Sequence, residues 1–394
     1  MQKPWLSIAC PIAAIFSFRM LGLFLLIPVF SANASHLSGA TPSLIGIALG
    51  SYGLTQGILQ IPFGMLSDHF GRKPVIYFGL AFFAVGSLIG AFANSIYAMI
   101  IARTLQGTGA IGSVLIALLA DLTTEQNRTK AMAVIGGSIG ISFSLAMILG
   151  PLITAISGLD GIFYLTTILA LLGIVMLNKV IPEPPKINAH LVIKKQAFKD
   201  SMANGQLQLL NLGIFIQHAV LTATFFAVPI LLKELAVETS WQFYLPLVIL
   251  SFLIAMPVIF YSERKKHGEL FFIMAIFATA LAQVLIAFNL QNAKLIFMLM
   301  LLYFIGFNFI EATLPSKVSK KANAQYKGTA MGIYSTSQFL GIFFGGLSAG
   351  LIFSKFSYTG VFLANSILCM IWLFVNLSCN NCQAKSETTS INES

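Results

Sequence analysis

The sequence predicts an all-α polytopic membrane protein whose twelve transmembrane helices form two pseudo-symmetric six-helix bundles. The first observation behind this prediction is composition. Of the 394 residues, 57% are hydrophobic and only 9% are Asp, Glu, Lys or Arg, against roughly 25% charged in a soluble protein. This number of charged side chains is too small to cover the water-exposed surface of a soluble protein of this size. Most of the outer surface must therefore face lipid.

The second observation is the length of the apolar stretches. Each is about 20 residues long, and this is the length that a helix needs to cross a hydrocarbon core of about 30 Å. The stretches show no two-residue alternation, which favours helices over a membrane β-barrel. They lie at residues 5–30, 43–66, 75–94, 96–119, 132–156, 161–180, 207–232, 241–261, 270–290, 294–314, 328–352 and 359–377.

The third observation is that the two halves of the chain resemble each other. Pro62 is followed by Ser67-Asp68, and 195 residues later Pro257 is followed by Ser262-Glu263 at the same spacing. Two further matches recur at offsets near 200, which indicates a duplicated six-helix unit with both copies in the same orientation. These matches are Ala131-Met132 with Ala330-Met331, and Pro28 with Pro229.

The longest connection between predicted helices divides them six and six. It begins Pro182-Glu183-Pro184-Pro185 and carries a cluster of lysines. We therefore predict a domain organisation of an N-terminal bundle, a cytoplasmic linker, a C-terminal bundle and a polar cytoplasmic tail, at residues 1–180, 181–206, 207–377 and 378–394.

The distribution of lysine and arginine predicts the orientation. With a cytoplasmic amino terminus, 18 of the 23 Lys and Arg lie on the cytoplasmic side and three on the opposite side, while Arg19 and Arg103 lie inside the membrane. Positive residues are retained on the cytoplasmic side, so we expect both termini there. The location expected is the cell membrane, the inner membrane of a bacterium.

The net charge of +10 does not indicate a nucleic-acid partner, because the basic residues are scattered through short loops. The four cysteines form no disulfide framework, and Cys379-x-x-Cys382 lacks the second pair that a zinc site needs. We therefore expect no metal, no cofactor and no nucleic acid. The expected partners are a small-molecule substrate, protons and the lipid bilayer, and the chain is expected to act as a monomer.

A charged loop flanked by glycines joins the second and third predicted helices. It reads Gly64-Met65-Leu66-Ser67-Asp68-His69-Phe70-Gly71-Arg72-Lys73-Pro74 and resembles the signature motif of the major facilitator superfamily. Helix four adds Arg103-Thr104-Leu105-Gln106-Gly107-Thr108-Gly109-Ala110, which is similar to the second motif of that family, and helix one adds Leu21-Gly22 with Pro28. The resemblance covers nearly the whole chain and implies the major facilitator fold and a transport function.

Within that superfamily three segments are similar to the YajR subgroup of proton-driven exporters. The segments are Phe18–Gly22, Asp121–Met132 and Lys327–Gly341. Members of the subgroup can carry a soluble ferredoxin-like domain after helix twelve. Because this chain stops at Ser394, we expect that domain to be absent.

The signature loop, residues 64–74, predicts a conformational latch. Its glycines would allow close backbone approach and tight turning. The resemblance implies that Asp68 binds the positive amino end of helix eleven near Gly328, and Arg72 would pair with Asp121. Both contacts would tie the halves together when the cytoplasmic side is shut and so favour the outward-open state. The latch residues are Gly64, Asp68, Gly71, Arg72, Lys73 and Asp121.

Two features of this loop leave alternatives open. The charges alone would also serve as topology signals without any latch. His69 stands where the family usually has Arg, so the latch would be weaker or sensitive to pH near neutrality.

Charged groups inside the bilayer cost about 2.5 to 3.5 kcal/mol each on the insertion scale, so each requires a role. Glu311 is the preferred proton carrier and His218 the second candidate. By resemblance, Arg103 matches a residue associated with proton coupling. The alternatives are an interfacial pair of Glu311 with Lys317, and structural hydrogen bonds for Arg103 and His218.

Polar residues inside the membrane predict a substrate cavity. Arg19 would attract an anionic group there, or else make structural hydrogen bonds. The other cavity candidates are Gln56, Gln60, Gln106, Asn308 and Gln338. Five Gly-x-x-x-Gly pairs are expected only to set close helix packing, namely Gly46/Gly50, Gly53/Gly57, Gly86/Gly90, Gly136/Gly140 and Gly341/Gly345.

These features together predict a secondary transporter that exports a small amphiphilic molecule in exchange for protons by alternating access. The alternatives are a proton symporter or facilitator that imports a nutrient, and a non-transporting membrane sensor of the same fold. The sequence contains no Walker, His-Glu-x-x-His or Gly-x-Ser-x-Gly motif, so no enzymatic activity is expected.

Overall fold

The structure is a computed structural model that describes residues 5–184, 192–237, 240–265, 267–323 and 327–392. Within these ranges the chain forms thirteen helices, and its β pairing is one isolated bridge between Ser38 and Ser95. The helices are α1 (Trp5–Phe24), α2 (Phe30–Ala34), α3 (Pro42–Phe70), α4 (Arg72–Ala91), α5 (Ile96–Thr108), α6 (Gly112–Leu122), α7 (Glu125–Lys179), α8 (Val192–Ala203), α9 (Gly205–Glu234), α10 (Ser240–Arg264), α11 (Gly268–Ala287), α12 (Ala293–Lys321) and α13 (Lys327–Asn392).

The described residues contain the twelve predicted membrane crossings. Ten segments are long and apolar enough to span a bilayer, and two of them, Glu125–Lys179 and Lys327–Ser378, are long enough to cross twice. α7 kinks at Ser157 and Gly158, and α13 kinks at Ser357, where φ is 54°. Each kink lies between two stretches predicted as separate helices. The prediction of an all-α membrane protein with twelve crossings is therefore confirmed.

Two predicted helices differ from the observed ones. The first, predicted over residues 5–30, ends as α1 at Phe24, and α2 begins only at Phe30, whereas the fourth is interrupted and consists of α5 followed by α6. In the fourth, Gly107 and Gly109 lie so close to neighbouring helices that a Cβ atom on them would collide with the carbonyl oxygens of Tyr52 and Gly79. The apolar pattern continues through this break, so the hydropathy of the sequence does not reveal it.

Side chains cap several helices where the chain enters a new span. Thr41 accepts a hydrogen bond from the amide of Leu44 at the start of α3, and Ser95 accepts one from Ala98 at the start of α5. Asn292 caps α12 in the same way. Each such cap typically stabilises a helix end by about 1 kcal/mol.

A single residue, Gly71, joins α3 to α4. Its φ of 95° lies in the left-handed region that side chains with a Cβ avoid, so the predicted tight turn is present. The close approach expected at Gly64 is absent, because a Cβ atom there would meet only Ser113 Oγ, at an ordinary 3.6 Å.

We expect Gly71→Ala to lower the free energy of unfolding by about 1 to 2 kcal/mol, since alanine is strained at this φ. Gly64→Ala is the matched control. It should be neutral or stabilising, because Gly64 lies inside a helix with room for a methyl group. Thermal melting of the purified protein in detergent measures the stability of both variants. Equal melting temperatures for the two variants would contradict the requirement for glycine at position 71.

The two halves of the molecule meet where α3 packs antiparallel to the first part of α13. Gly46 lies against the backbone of Gly346, and Gly57 lies against the backbone of Thr336. Thr336 Oγ1 donates a hydrogen bond to the Gly57 carbonyl at 3.3 Å. Small residues allow such close approach of helices in membranes, so this contact holds the halves tightly together along about three turns of helix.

Beyond Gly57 the two helices diverge toward the end of the bundle that carries residues 64–74, here termed the signature-loop end. At Gly332, one turn before Thr336, a Cβ atom would meet nothing within 4 Å. The same is true of Gly136 and Gly140 on α7. The close packing predicted for the Gly136/Gly140 pair is therefore wrong in this conformation, because α7 faces open space there.

At the other end, here termed the opposite end, elements of the two halves are in contact. Ser31 Oγ lies 3.4 Å from the Phe225 carbonyl, and Lys233 Nζ lies 3.4 Å from the Ala32 carbonyl. Phe143 of α7 packs on Phe307 of α12 further inside. The space between the halves is thus closed at the opposite end and open at the signature-loop end.

Candidate functional site

The signature loop forms a charge cluster around Arg72. The Arg72 guanidinium lies 2.5 Å from Asp68 Oδ1 and 2.8 Å from Asp121 Oδ2, and it donates to Ser67 Oγ at 2.7 Å. Lys73, which is 6% exposed, pairs with Glu183 at 2.8 Å. The expected pair of Arg72 with Asp121 is present, and Arg72 connects the end of α3 to the end of α6.

The role predicted for the Arg72–Asp121 pair, that of tying the two halves together, is wrong. Both residues belong to the first half, and the pair is formed while α3 and α13 diverge beside it. The second half has a pair in the corresponding place with the charges exchanged, since Lys317 near the end of α12 donates to Glu269 at the start of α11 at 2.9 Å. Each pair therefore joins neighbouring helices within its own half.

Two other predictions about the loop have different outcomes. The contact expected between Asp68 and the amino end of helix eleven adjoins residues 324–326, which lie outside the described residues, so it stays a prediction. His69 is exposed, and its ring packs edge-on against Phe70 with centroids 4.8 Å apart.

Arg103 lies fully buried inside the first half. Its Nη1 donates to Gln106 Oε1 at 2.8 Å, and its guanidinium lies 4.9 Å from the centre of the Tyr52 ring. Gln106 in turn donates to Ser87 Oγ at 2.8 Å and is also fully buried. In this conformation the Gln106 side chain joins α5 to α4, and its place in a substrate cavity stays a prediction.

Arg19 lies beside the start of α6. It is 1% exposed, and none of its three guanidinium nitrogens has a hydrogen-bond partner among the described residues. Its Nη1 would lie 3.2 Å from a Cβ atom placed on Gly112. Gln60 lies against the same glycine and accepts a hydrogen bond from Gln56 at 2.9 Å. The structure thus brings together three of the predicted cavity residues, Arg19, Gln56 and Gln60.

In the second half, three helices bring Glu311, His218 and Gln338 together. His218 Nε2 of α9 lies 3.9 Å from Glu311 Oε2 of α12, and Gln338 Nε2 of α13 lies 2.8 Å from the same histidine nitrogen. The Glu311 side chain is 37% exposed, whereas its Oε2 atom is buried and has no hydrogen-bond partner among the described residues. The alternative pair of Glu311 with Lys317 is absent, because Lys317 binds Glu269 and lies over the Phe272 ring.

Two further polar residues lie on these helices. Asn308 is 7% exposed and donates to Ser251 Oγ at 3.1 Å, so it joins α12 to α10 in this conformation, and its place in a substrate cavity stays a prediction. Tyr334, one turn before Gln338, has a buried hydroxyl with no partner among the described residues. Sequence reasoning missed Tyr334, since an aromatic residue in an apolar helix carries no signal beyond packing.

The described residues contain no cluster of three or more His, Cys, Asp or Glu that would hold a metal ion. The side chains of Cys379 and Cys382 lie outside what the structure describes.

The chemistry of the two halves differs. In the first half, Arg19 and Arg103 are buried cations without a carboxylate partner among the described residues. In the second half, a carboxylate and an imidazole lie close enough for the charge on one to influence proton binding by the other.

Comparisons with known proteins agree with this architecture. The family model of the Major Facilitator Superfamily matches residues 12–346. The chain is 44% identical to the inner membrane transport protein YajR of Escherichia coli over 92% of this chain and 81% of that protein. It is 35% identical to an uncharacterised transporter of Buchnera aphidicola subsp. Acyrthosiphon pisum, with 86% and 88% covered.

Among solved structures, the nucleoside transporter NupG superposes with a TM-score of 0.73 at 15% identity, covering 95% of this chain and 99% of that one. At this identity the likeness shows the fold. The family model and the two relatives show more than the fold: this chain belongs to the major facilitator superfamily and is a multi-pass membrane transporter.

Proposed function

We propose that this transporter is a proton-coupled antiporter that exports a small amphiphilic molecule by alternating access. The observation that carries the proposal is the asymmetric contact between the halves around membrane-embedded ionisable groups. The halves touch from Gly46 to Gly57 and separate beyond Gly57, and Glu311 and His218 lie in the helices that surround this space.

The separated ends support a pathway that opens on one side only. With the orientation expected from the Lys and Arg distribution, the signature-loop end faces the cytoplasm. In this conformation a cytoplasmic solute would enter the space between the halves, while the packed glycines of α3 and α13 prevent escape at the opposite end. Export then requires the reverse arrangement, with the signature-loop end closed.

The position of Glu311 supports coupling to protons. Closing the signature-loop end would enclose the part of the Glu311 side chain that is exposed in this conformation, and an ionised carboxylate in a dry site is strongly disfavoured. A proton on Glu311 removes this cost, so the protonated form is able to pass through the closed arrangement. His218, whose Nε2 lies 3.9 Å from Glu311 Oε2, is a group able to exchange that proton.

The lining of this region supports an amphiphilic substrate. The centroid of the Phe307 ring lies 6.0 Å from that of His218 and 6.3 Å from that of Phe143. Phe307 lies one turn before Glu311 on α12. An apolar body with a polar or charged group would fit such a mixed surface.

Inverted vesicles containing the purified protein test the proposal. The vesicle lumen is made acidic, and three probes are added outside: fluorescein as the anionic, Nile red as the neutral and ethidium as the cationic probe. At least one should accumulate several-fold above protein-free vesicles, with proton release from the lumen reported by a pH-sensitive dye. A protonophore should abolish the accumulation.

Each contrary result has a defined meaning. Movement of the probe in the same direction as protons would contradict antiport and favour the symporter. Binding of a probe without flux in either direction would favour the non-transporting sensor.

A further inference from the structure

We propose that the amino end of α6, Arg19 and Gln60 form a binding site for an anionic group in the middle of the first half. The inference rests on the proposed function and deepens it by assigning the chemistry of one subsite. The anionic group would belong either to the transported molecule, as a carboxylate or phosphate, or to a free inorganic anion.

The start of α6 supplies the first element of the site. This helix of 11 residues begins at Gly112, within the membrane-spanning segment Ile96–Leu122. The first amide groups of a helix have no acceptor within the helix, and Ile111 at the N-cap position provides no side-chain hydrogen bond. Such an end carries partial positive charge and binds anions readily.

Arg19 supplies the second, independent element. Its Nε, Nη1 and Nη2 all lack a hydrogen-bond partner among the described residues, although the residue is 1% exposed. Nη1 lies 3.2 Å from the position that a Cβ atom would take on Gly112. A full positive charge therefore lies beside the partial positive charge of a helix end, inside the membrane and without a counter-charge from the described residues.

That combination is unfavourable for the protein alone. A buried guanidinium without a paired negative group is costly, and the helix end beside it adds to the repulsion. Arg103 shows a partial solution, because its Nη1 binds Gln106 and its guanidinium lies over the ring of Tyr52, although its Nε and Nη2 have no partner among the described residues. Arg19 has no equivalent arrangement, which points to an acceptor that comes from outside the chain.

Gln60 adds a further donor. Its Oε1 accepts from Gln56, which leaves the Nε2 group free to donate, and this Nε2 lies 3.3 Å from the same Cβ position on Gly112. Because residue 112 has no side chain, the guanidinium and the amide both lie against the backbone of α6 at this point. The guanidinium, the amide and the helix end are all donors, and this set suits an anion rather than a cation.

The site also lies next to the path between the halves. Gln60 is one turn beyond Gly57, where α3 and α13 begin to diverge. Movement of α3 relative to α13 would therefore open or close access to Gln60 and Arg19. An anion bound here would be held in the first half while the proton is held by Glu311 in the second.

Thermal melting of the full-length protein in detergent tests the site without any transport measurement. The probes are sodium benzoate, phenyl phosphate and chloride, each compared with the other two at equal ionic strength, with benzyl alcohol as the uncharged comparison. We expect at least one anion to raise the melting temperature saturably by several degrees. Benzyl alcohol should give no such rise.

Variants identify the residues that bind. Arg19→Gln should abolish the anion-dependent rise, and Arg19→Lys should retain part of it, because the charge remains while the guanidinium fork is lost. Lys233→Gln, which removes a lysine at the opposite end, should keep the full rise. If Arg19→Gln does not fold, Gln60→Leu serves instead and should raise the anion concentration at half effect several-fold.

The outcomes separate the possible sources and the possible failures. A rise with chloride assigns the site to a free inorganic anion, and a rise with benzoate or phenyl phosphate but not chloride assigns it to a transported molecule. No anion-dependent rise in the wild-type protein, or an equal rise in Arg19→Gln, would overturn the site. If the protein shows no anion-dependent rise but exchanges probes for protons in vesicles, the anion site is wrong and the proposed function stands.

Discussion

Glu311→Gln is expected to leave substrate exchange active but independent of the pH gradient. Glutamine has the shape of a protonated glutamic acid and cannot release a proton. The side chain at position 311 is therefore always neutral, and the variant should change between its open and closed arrangements without binding or releasing a proton there. Downhill exchange of a probe should continue, while accumulation driven by a pH gradient should fall about tenfold or more, a change equivalent to about 1.4 kcal/mol or more of driving free energy. Vesicle uptake at several imposed gradients measures both quantities.

Glu269→Gln is the matched control for this experiment. Glu269 is also a carboxylate of the second half, but it is an exposed residue that pairs with Lys317 at the signature-loop end. Its loss should leave gradient-driven uptake nearly unchanged. A wild-type pH profile in Glu311→Gln would remove Glu311 from the mechanism, and the same defect in both variants would indicate a general effect of lost negative charge.

Gly332→Val is expected to abolish transport while the protein remains as stable as the wild type. In this conformation a Cβ atom at position 332 meets nothing within 4 Å, so valine is accommodated. Closure of the signature-loop end would bring α13 onto α3 there, and a branched side chain would prevent the close backbone approach that small residues permit. Probe flux should fall at least tenfold, with the melting temperature unchanged within about one degree, since surface changes are usually close to neutral.

Gly346→Val provides the matched comparison at the closed end. A Cβ atom there would lie 2.6 Å from the Gly46 carbonyl oxygen. Such overpacking typically costs about 1 to 3 kcal/mol, so the melting temperature should fall. If Gly332→Val transported its probe at the wild-type rate, the signature-loop end would not need to close and alternating access would be wrong for this chain.

Much of the fold follows from properties that the sequence displays directly. Hydropathy gives the number of crossings because each crossing needs a fixed length of apolar chain. Hydropathy does not give the interruption between α5 and α6. Gly107 and Gly109 at this interruption contact residues of α3 and α4, which are distant from them in sequence. It also does not show that Ser157 and Ser357 serve as kinks in place of loops.

The candidate site is predictable in part for a similar reason. Sequence gives the depth of a residue in the membrane but not the direction in which its side chain points. The chemistry of their side chains alone indicates Glu311 and His218, and the fold brings them within 3.9 Å. The same reasoning indicates Gln106 and Asn308, yet their side chains bind neighbouring helices inside a half. The pairing of Arg72 with Asp121 was predicted correctly, whereas its location within one half required knowledge of which helices are neighbours.

The contact between Gly57 and Thr336 has a mechanical consequence. From Gly57 to the end of α3 at Phe70 the helix extends about 20 Å, so a tilt of about 10° at this contact would move its tip by about 3 Å. That displacement is comparable to the length of one hydrogen bond. A rotation too small to disturb the interior of either bundle would therefore be enough to make or break a contact between the tip of α3 and the second half.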